Sequence, residues 1–262
     1  MSNPAHGTDL HGLPLLAALL LVGYLIAGQP LVGRWSHRRF AQRVRRDPRA
    51  RIHRYRRTTV LEWLLAALAL LLTAAAPGLT LRHLGVRPPG LSGAAAAFTL
   101  VGLTGLVATI LIFRAVRARL HAGHQHARPP EATPIGPEAV LVLLPRTVRE
   151  RRAYALLALT AGLCEEFLYR GLFLAVCTAL APDLGPARAV LASAAAFGIA
   201  HLYQGPWGML GTGVVGGCLT VLYLGSGSLL LPVCYHALLD LRVLLLPVPG
   251  PNGGGHRARH RA

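Results

Sequence analysis

The sequence predicts an all-α fold, a polytopic bundle of about seven to eight transmembrane helices. Two observations predict it. Of the 262 residues, 53% are hydrophobic and only 14% charged, against about 25% charged in an ordinary soluble domain. The apolar residues also run in stretches of membrane-crossing length separated by clusters of arginine, with a mean hydropathy of +0.47. The glycines and prolines fall largely inside the apolar runs, where transmembrane helices tolerate them.

Residues 13–32 form the first expected span. Residues 34–57 follow with eleven arginines, among them Arg38, Arg39, Arg45 and Arg46, a segment that resists translocation and anchors the topology. Residues 60–76 are the second span, stopped by Pro77-Gly78. After a short loop with Pro88-Pro89, residues 91–113 are the third. Residues 114–152 are again basic; the tract of His121, His124 and His126 reads as solvated loop, and residues 139–144 as an interfacial stretch too short to span. Residues 154–180, 187–203, 206–224 and 229–246 are the fourth to seventh spans, and residues 247–262 a Pro/Gly-rich, then basic, tail.

An outside N-terminus and seven spans place all three basic regions on the cytoplasmic side. The organisation expected is N-terminal helices and basic loops over 1–152, a functional helical core over 153–247, and a tail over 248–262.

The net charge is +17, carried by arginine without any lysine. The arginines sit between the apolar runs and no nucleic-acid-reading motif accompanies them, so the bilayer is the expected partner and nucleic acid is not. Cys164, Cys177, Cys218 and Cys234 lie in apolar stretches without CxxC spacing and read as small buried hydrophobes. The first apolar run lacks the flanks of a cleavable signal peptide. An arginine-only, Ala/Leu/Gly-rich composition points to a GC-rich bacterial genome, hence a bacterial plasma membrane.

Chemistry concentrates in the second half. An ionisable group at the bilayer centre costs roughly 2.5–3.5 kcal/mol on insertion scales, so each needs a reason. Glu166 and Arg170 are four residues apart and share a helix face, so they can pair. Glu165 points about 100° away around the helix and needs a partner on another helix or a wet cavity. His201 closes the fifth span. His236 and Asp240 are again four apart on one face, where the carboxylate can orient the imidazole. A free glutamate, two histidines and an aspartate on three helices suit the activation of water, with or without a metal. Gly213 and Gly217 form a GxxxG that permits close helix approach.

Three motifs, Glu165-Glu166-Phe-Leu-Tyr-Arg170, Phe197-Gly-Ile-Ala-His201 and His236-Ala-Leu-Leu-Asp240, resemble those of the CPBP group, the CAAX-protease and bacteriocin-processing (Abi) family of intramembrane proteases. The resemblance covers roughly residues 154–246. It implies a peptide-bond hydrolase acting on membrane-associated, leader or prenyl-type peptides. It implies Glu165 as the base that activates water, Glu166 paired with Arg170, His201 positioning the water, and His236 with residue 240 stabilising the oxyanion. It leaves open a metal held by Glu165, His201 and His236, which as two imidazoles and a carboxylate suit zinc. Many eukaryotic prenyl-protein proteases of the group have asparagine where this chain has Asp240; an ionised aspartate cannot donate to an oxyanion, so a carboxyl protonated by burial, orientation of His236 and a place in a metal shell are the roles open to it. A non-catalytic immunity or scaffold protein is the alternative reading. A transporter is disfavoured because inverted repeats and paired broken helices are missing from the pattern.

Overall fold

The computed structural model describes residues 10–90, 96–97, 99–108, 110–111 and 142–245. Among them, the regular structure is entirely helical. The helices are α1 (Gly12–Arg43), α2 (Ala50–Ala75), α3 (Thr99–Ala108), α4 (residues 148–180), α5 (Pro186–Ala200), α6 (Gly205–Ser226) and α7 (Leu230–Leu241). Short 3-10 turns, Leu202–Gln204 and Arg242–Leu245, precede α6 and follow α7. The expected histidine tract, the tail over 248–262, and most of the 114–152 loop and the 139–144 stretch lie outside the described residues.

The expected count of about seven to eight spans holds only in part. The described residues form seven helices, of which three are long and apolar enough to cross a membrane: α1, α2, and α6 together with the turn before it. α4 is long, but Glu165, Glu166 and Arg170 interrupt its apolar run. α5 and α7 are short, at 15 and 12 residues.

Two boundaries also differ from expectation. The arginine-rich segment is not a loop, because α1 continues through it to Arg43 and α2 already begins at Ala50. Arginine is a good helix former, so the chain breaks only around Asp47-Pro48, where the Asp47 carboxylate accepts the Arg49 N–H at 2.8 Å. Of the cysteines, all four are free, but Cys234 is exposed and not buried as its apolar setting suggested.

α2 displays the logic of a helix in lipid. Leu61, Leu64, Leu68 and Leu71 are exposed on one face, while Glu62, Leu65, Ala66 and Ala69 are buried on the other. The polar group turns inward, because no partner for it exists in hydrocarbon. That inner face lies against α4, and α4 packs on its other side against α7. Tyr55 donates to the Leu143 carbonyl at 2.5 Å and Trp63 Nε1 to Thr160 Oγ1 at 3.3 Å, which fixes the register of α2 along α4. α5 and α6 form a second close pair, joined by a buried Thr220–Ser193 hydroxyl bond of 2.9 Å. Gly213 of the GxxxG lies in this seam, its missing Cβ 3.1 Å from the Ala194 carbonyl, whereas Gly217 makes only ordinary contacts.

The approach of α7 to α4 depends on Gly162. A Cβ there would lie 2.9 Å from the backbone nitrogen of Ala237 and 2.9 Å from its Cβ. Ala237 follows His236 directly, and Gly162 precedes Glu166 by one turn, so this contact sets how far His236 reaches into α4. Gly162→Ala is therefore expected to cost about 1–3 kcal/mol by overpacking. Gly211→Ala, where a Cβ meets nothing within 4 Å, should not destabilise. Thermal unfolding of the two variants in detergent checks this, and equal melting temperatures would contradict the contact.

Candidate active site

α4 begins at a capping box. Thr147 Oγ1 accepts the Glu150 N–H at 3.2 Å, and Glu150 Oε2 accepts the N–H groups of Thr147 at 3.1 Å and Arg146 at 2.6 Å. Arg51 of α2 lies 3.8 Å from the other Glu150 oxygen, which ties the start of α4 to its neighbour. From there the helix runs inward to Glu165 and Glu166, the last residues before a π-helical stretch, Phe167–Phe173. Such wide turns frequently mark functional sites. Here the stretch carries Arg170.

Arg170 is fully buried, at 0% exposure. Its Nη1 donates to Glu166 Oε1 at 2.8 Å and its Nη2 to the Gly216 carbonyl of α6 at 2.8 Å. Its guanidinium also stacks over the Phe197 ring, 4.5 Å from the centroid. Gly216 is obligatory for this fit, since a Cβ there would sit 2.9 Å from Phe197 Cδ1 and 3.2 Å from the arginine Nη2.

The same Glu166 oxygen accepts the Nδ1–H of His236 at 2.7 Å. Glu166 is thereby committed to Arg170 and His236, and is a structural hub. With Nδ1 so engaged, His236 directs Nε2 at Glu165 Oε2, 3.8 Å away, and at Asp240 Oδ2, 3.9 Å away. Both separations exceed a hydrogen bond but leave room for close charge interaction. Glu165 Oε2 is buried and has no hydrogen-bond partner. Asp240 lies at the rim, its side chain 39% exposed.

His201 sits just past the end of α5. Its Nδ1 lies 2.8 Å from the Phe197 carbonyl, which can only accept, so Nδ1 carries the hydrogen and Nε2 keeps its lone pair. The Phe197 ring packs against both imidazoles, with centroids 4.9 Å from His201 and 5.7 Å from His236.

The structure thus joins Glu165, Glu166, Arg170 and His236 in one buried cluster, puts Asp240 at its edge, and holds His201 against the same Phe197 ring that His236 touches. Among the described residues, no group of three or more His, Cys, Asp or Glu is arranged to hold a metal ion.

Sequence reasoning missed three residues of this neighbourhood. Gly162 and Gly216 work by the absence of a side chain; isolated glycines in helical patterns were their only trace. The third is Glu62 of α2. It is 4% exposed, within electrostatic reach of Glu165 and His236, and its Oε2 lacks a hydrogen-bond partner. A lone carboxylate in an apolar run was its signal.

A helical membrane protein with a buried carboxylate–arginine–histidine cluster is the class that fold and site define. Residues 150–242 match the family model described as type II CAAX prenyl endopeptidase Rce1-like, a family of proteases. That segment is thus similar to the Rce1-like family, consistent with the CPBP resemblance of its three motifs; α1 to α3 lie outside the match. No curated protein and no solved structure matches the chain significantly.

The hub makes its own prediction. Arg170→Leu leaves Glu166 buried beside a single imidazole and should cost about 3–5 kcal/mol. Adding Glu166→Gln should recover much of that loss, because the uncompensated charge is then gone. Chemical unfolding of the single and double variants in detergent measures the coupling, and purely additive losses would disprove it.

Proposed function

We propose that the chain is an intramembrane endopeptidase that hydrolyses membrane-associated, leader or prenyl-type peptides with a glutamate-activated water. One observation carries the reading: Glu166 is anchored through Oε1 by both Arg170 and His236, its Oε2 remaining unpaired, while Glu165 Oε2 faces His236 Nε2 at 3.8 Å with no hydrogen-bond partner among the described residues. Of two adjacent carboxylates one builds and the other is left to react.

In this mechanism a water enters from the rim at Asp240. Glu165 accepts one of its protons as the water oxygen bonds to the peptide carbonyl carbon, and the carbonyl π pair moves onto oxygen. His236 stabilises that developing charge through Nε2–H in its doubly protonated form, which the surrounding Glu165, Glu166 and Asp240 favour by their charge. Collapse of the tetrahedral intermediate breaks the C–N bond, and the proton held by Glu165 passes to the leaving nitrogen. The products are a carboxylic acid and an amine, which leave as carboxylate and ammonium once the acid's proton passes to the amine. His201, with a free lone pair on Nε2, is an acceptor at this site and not an oxyanion donor. Asp240 orients His236 from the next turn. The basic segments face the cytoplasm of a bacterial plasma membrane in this reading, and the substrate approaches from that side.

Glu165→Gln is expected to lower cleavage of a membrane-bound peptide by about 10²–10⁴-fold, with insertion and melting temperature retained. His236→Ala should lose activity comparably while also loosening the hub. A Glu165→Gln protein that cleaves at the wild-type rate removes the assigned base.

A further inference from the structure

Glu62 lies on α2, outside the family match and outside all three motifs. Its burial is not incidental. It begins the inward stripe that continues through Leu65, Ala66, Ala69 and Leu72, and the adjacent Trp63 is bonded to Thr160 of α4 at 3.3 Å. That bond keeps Glu62 on the side of α2 that packs against α4, the helix that carries Glu165. Cys164 and Tyr169 each lie within electrostatic reach of both carboxyl groups, which places the pair in one neighbourhood. Among the described residues Glu62 Oε2 and Glu165 Oε2 are buried without a hydrogen-bond partner, as is Glu166 Oε2.

Buried acceptors of this kind are nearly always satisfied, by protein or by ordered water. The nearby groups do not supply the missing donors. Glu166 accepts only, the Arg170 Nη groups are spent on Glu166 and Gly216 while its Nε makes no hydrogen bond, His236 Nε2 stops 3.8 Å short of Glu165 Oε2, and the Tyr169 hydroxyl is directed to Gln29 Oε1 at 3.1 Å. A water has two hydrogens and two lone pairs, which suits a site offering two acceptors from separate helices.

We infer that Glu62 is a further residue of the active site, a carboxyl that holds the attacking water by its second hydrogen while Glu165 takes the first. The inference rests on the hydrolytic reading of Glu165. With both hydrogens engaged, one from α2 and one from α4, the water cannot spin, and its lone pair has a fixed direction toward the substrate carbonyl. Orientation of this kind acts on the chemical step and not on substrate binding.

The test has two arms. In steady-state cleavage of a membrane-bound peptide, Glu62→Leu should lower kcat by about 100-fold and Glu62→Gln, which keeps the shape and one acceptor, by about 10-fold, both with KM unchanged. Unchanged kcat in both variants, or a loss that appears in KM, overturns the inference while an inactive Glu165→Gln leaves the protease reading standing. The second arm needs no activity: an experimental structure in lipid that resolves ordered water should place one between Glu62 Oε2 and Glu165 Oε2 in the wild type and lose it in Glu62→Leu. Absence of that water from the wild type also overturns the inference. Its presence in a protein that cleaves nothing sustains the water site and removes the protease.

Discussion

The architecture turns on one buried oxygen. Glu166 Oε1 accepts from Arg170 at 2.8 Å and from His236 at 2.7 Å, so a single acceptor binds a cation of its own helix to an imidazole of α7. Arg170 in turn reaches the Gly216 carbonyl of α6 and the Phe197 ring of α5. In a low-dielectric interior an arginine without such partners would be prohibitive, and with them it ties four helices to one point. The same hub leaves Glu165 unclaimed, so one network explains both the cohesion of the core and the availability of a carboxylate within it.

Packing serves that hub at its closest points through missing side chains. Gly162 lets the backbone of α7 lie on α4, and Gly216 opens the space that the guanidinium and Phe197 fill. In lipid, small residues take the place of the hydrophobic drive between helices, so these contacts do in the membrane what a leucine core does in water. The outward leucines of α2 contribute little to the fold, being exposed to a solvent as apolar as themselves.

Much of this was legible in the sequence. The pairing of Glu166 with Arg170 follows from spacing alone, and the helical class follows from composition. The freedom of Glu165 follows from its angular offset. What was not legible depends on tertiary register. His236 was expected to answer to Asp240 four residues on, yet its short contact is with Glu166, because Gly162 brings α7 close at that level. Glu62 stands near the start of the apolar run over 60–76, where a carboxylate reads as interfacial; only the start of the helix at Ala50 shows it to be roughly three turns in. Among the described residues fewer helices have the length and apolarity of a span than the apolar runs suggested, because several prove short or charged.

The fastening of α2 along α4 bears on what counts as the unit of this protein. Arg51 and Trp63 are attached to Glu150 and Thr160 of α4, and Tyr55 to the Leu143 carbonyl just ahead of that helix. The segment that carries the recognisable motifs therefore lacks one of its own walls. Excised at residues 150–242, it would expose to lipid the flank of α4 that α2 shields. The homologous stretch and the smallest folding piece are thus different objects, and divergence in the N-terminal helices is constrained by a partner surface that motif comparison does not see.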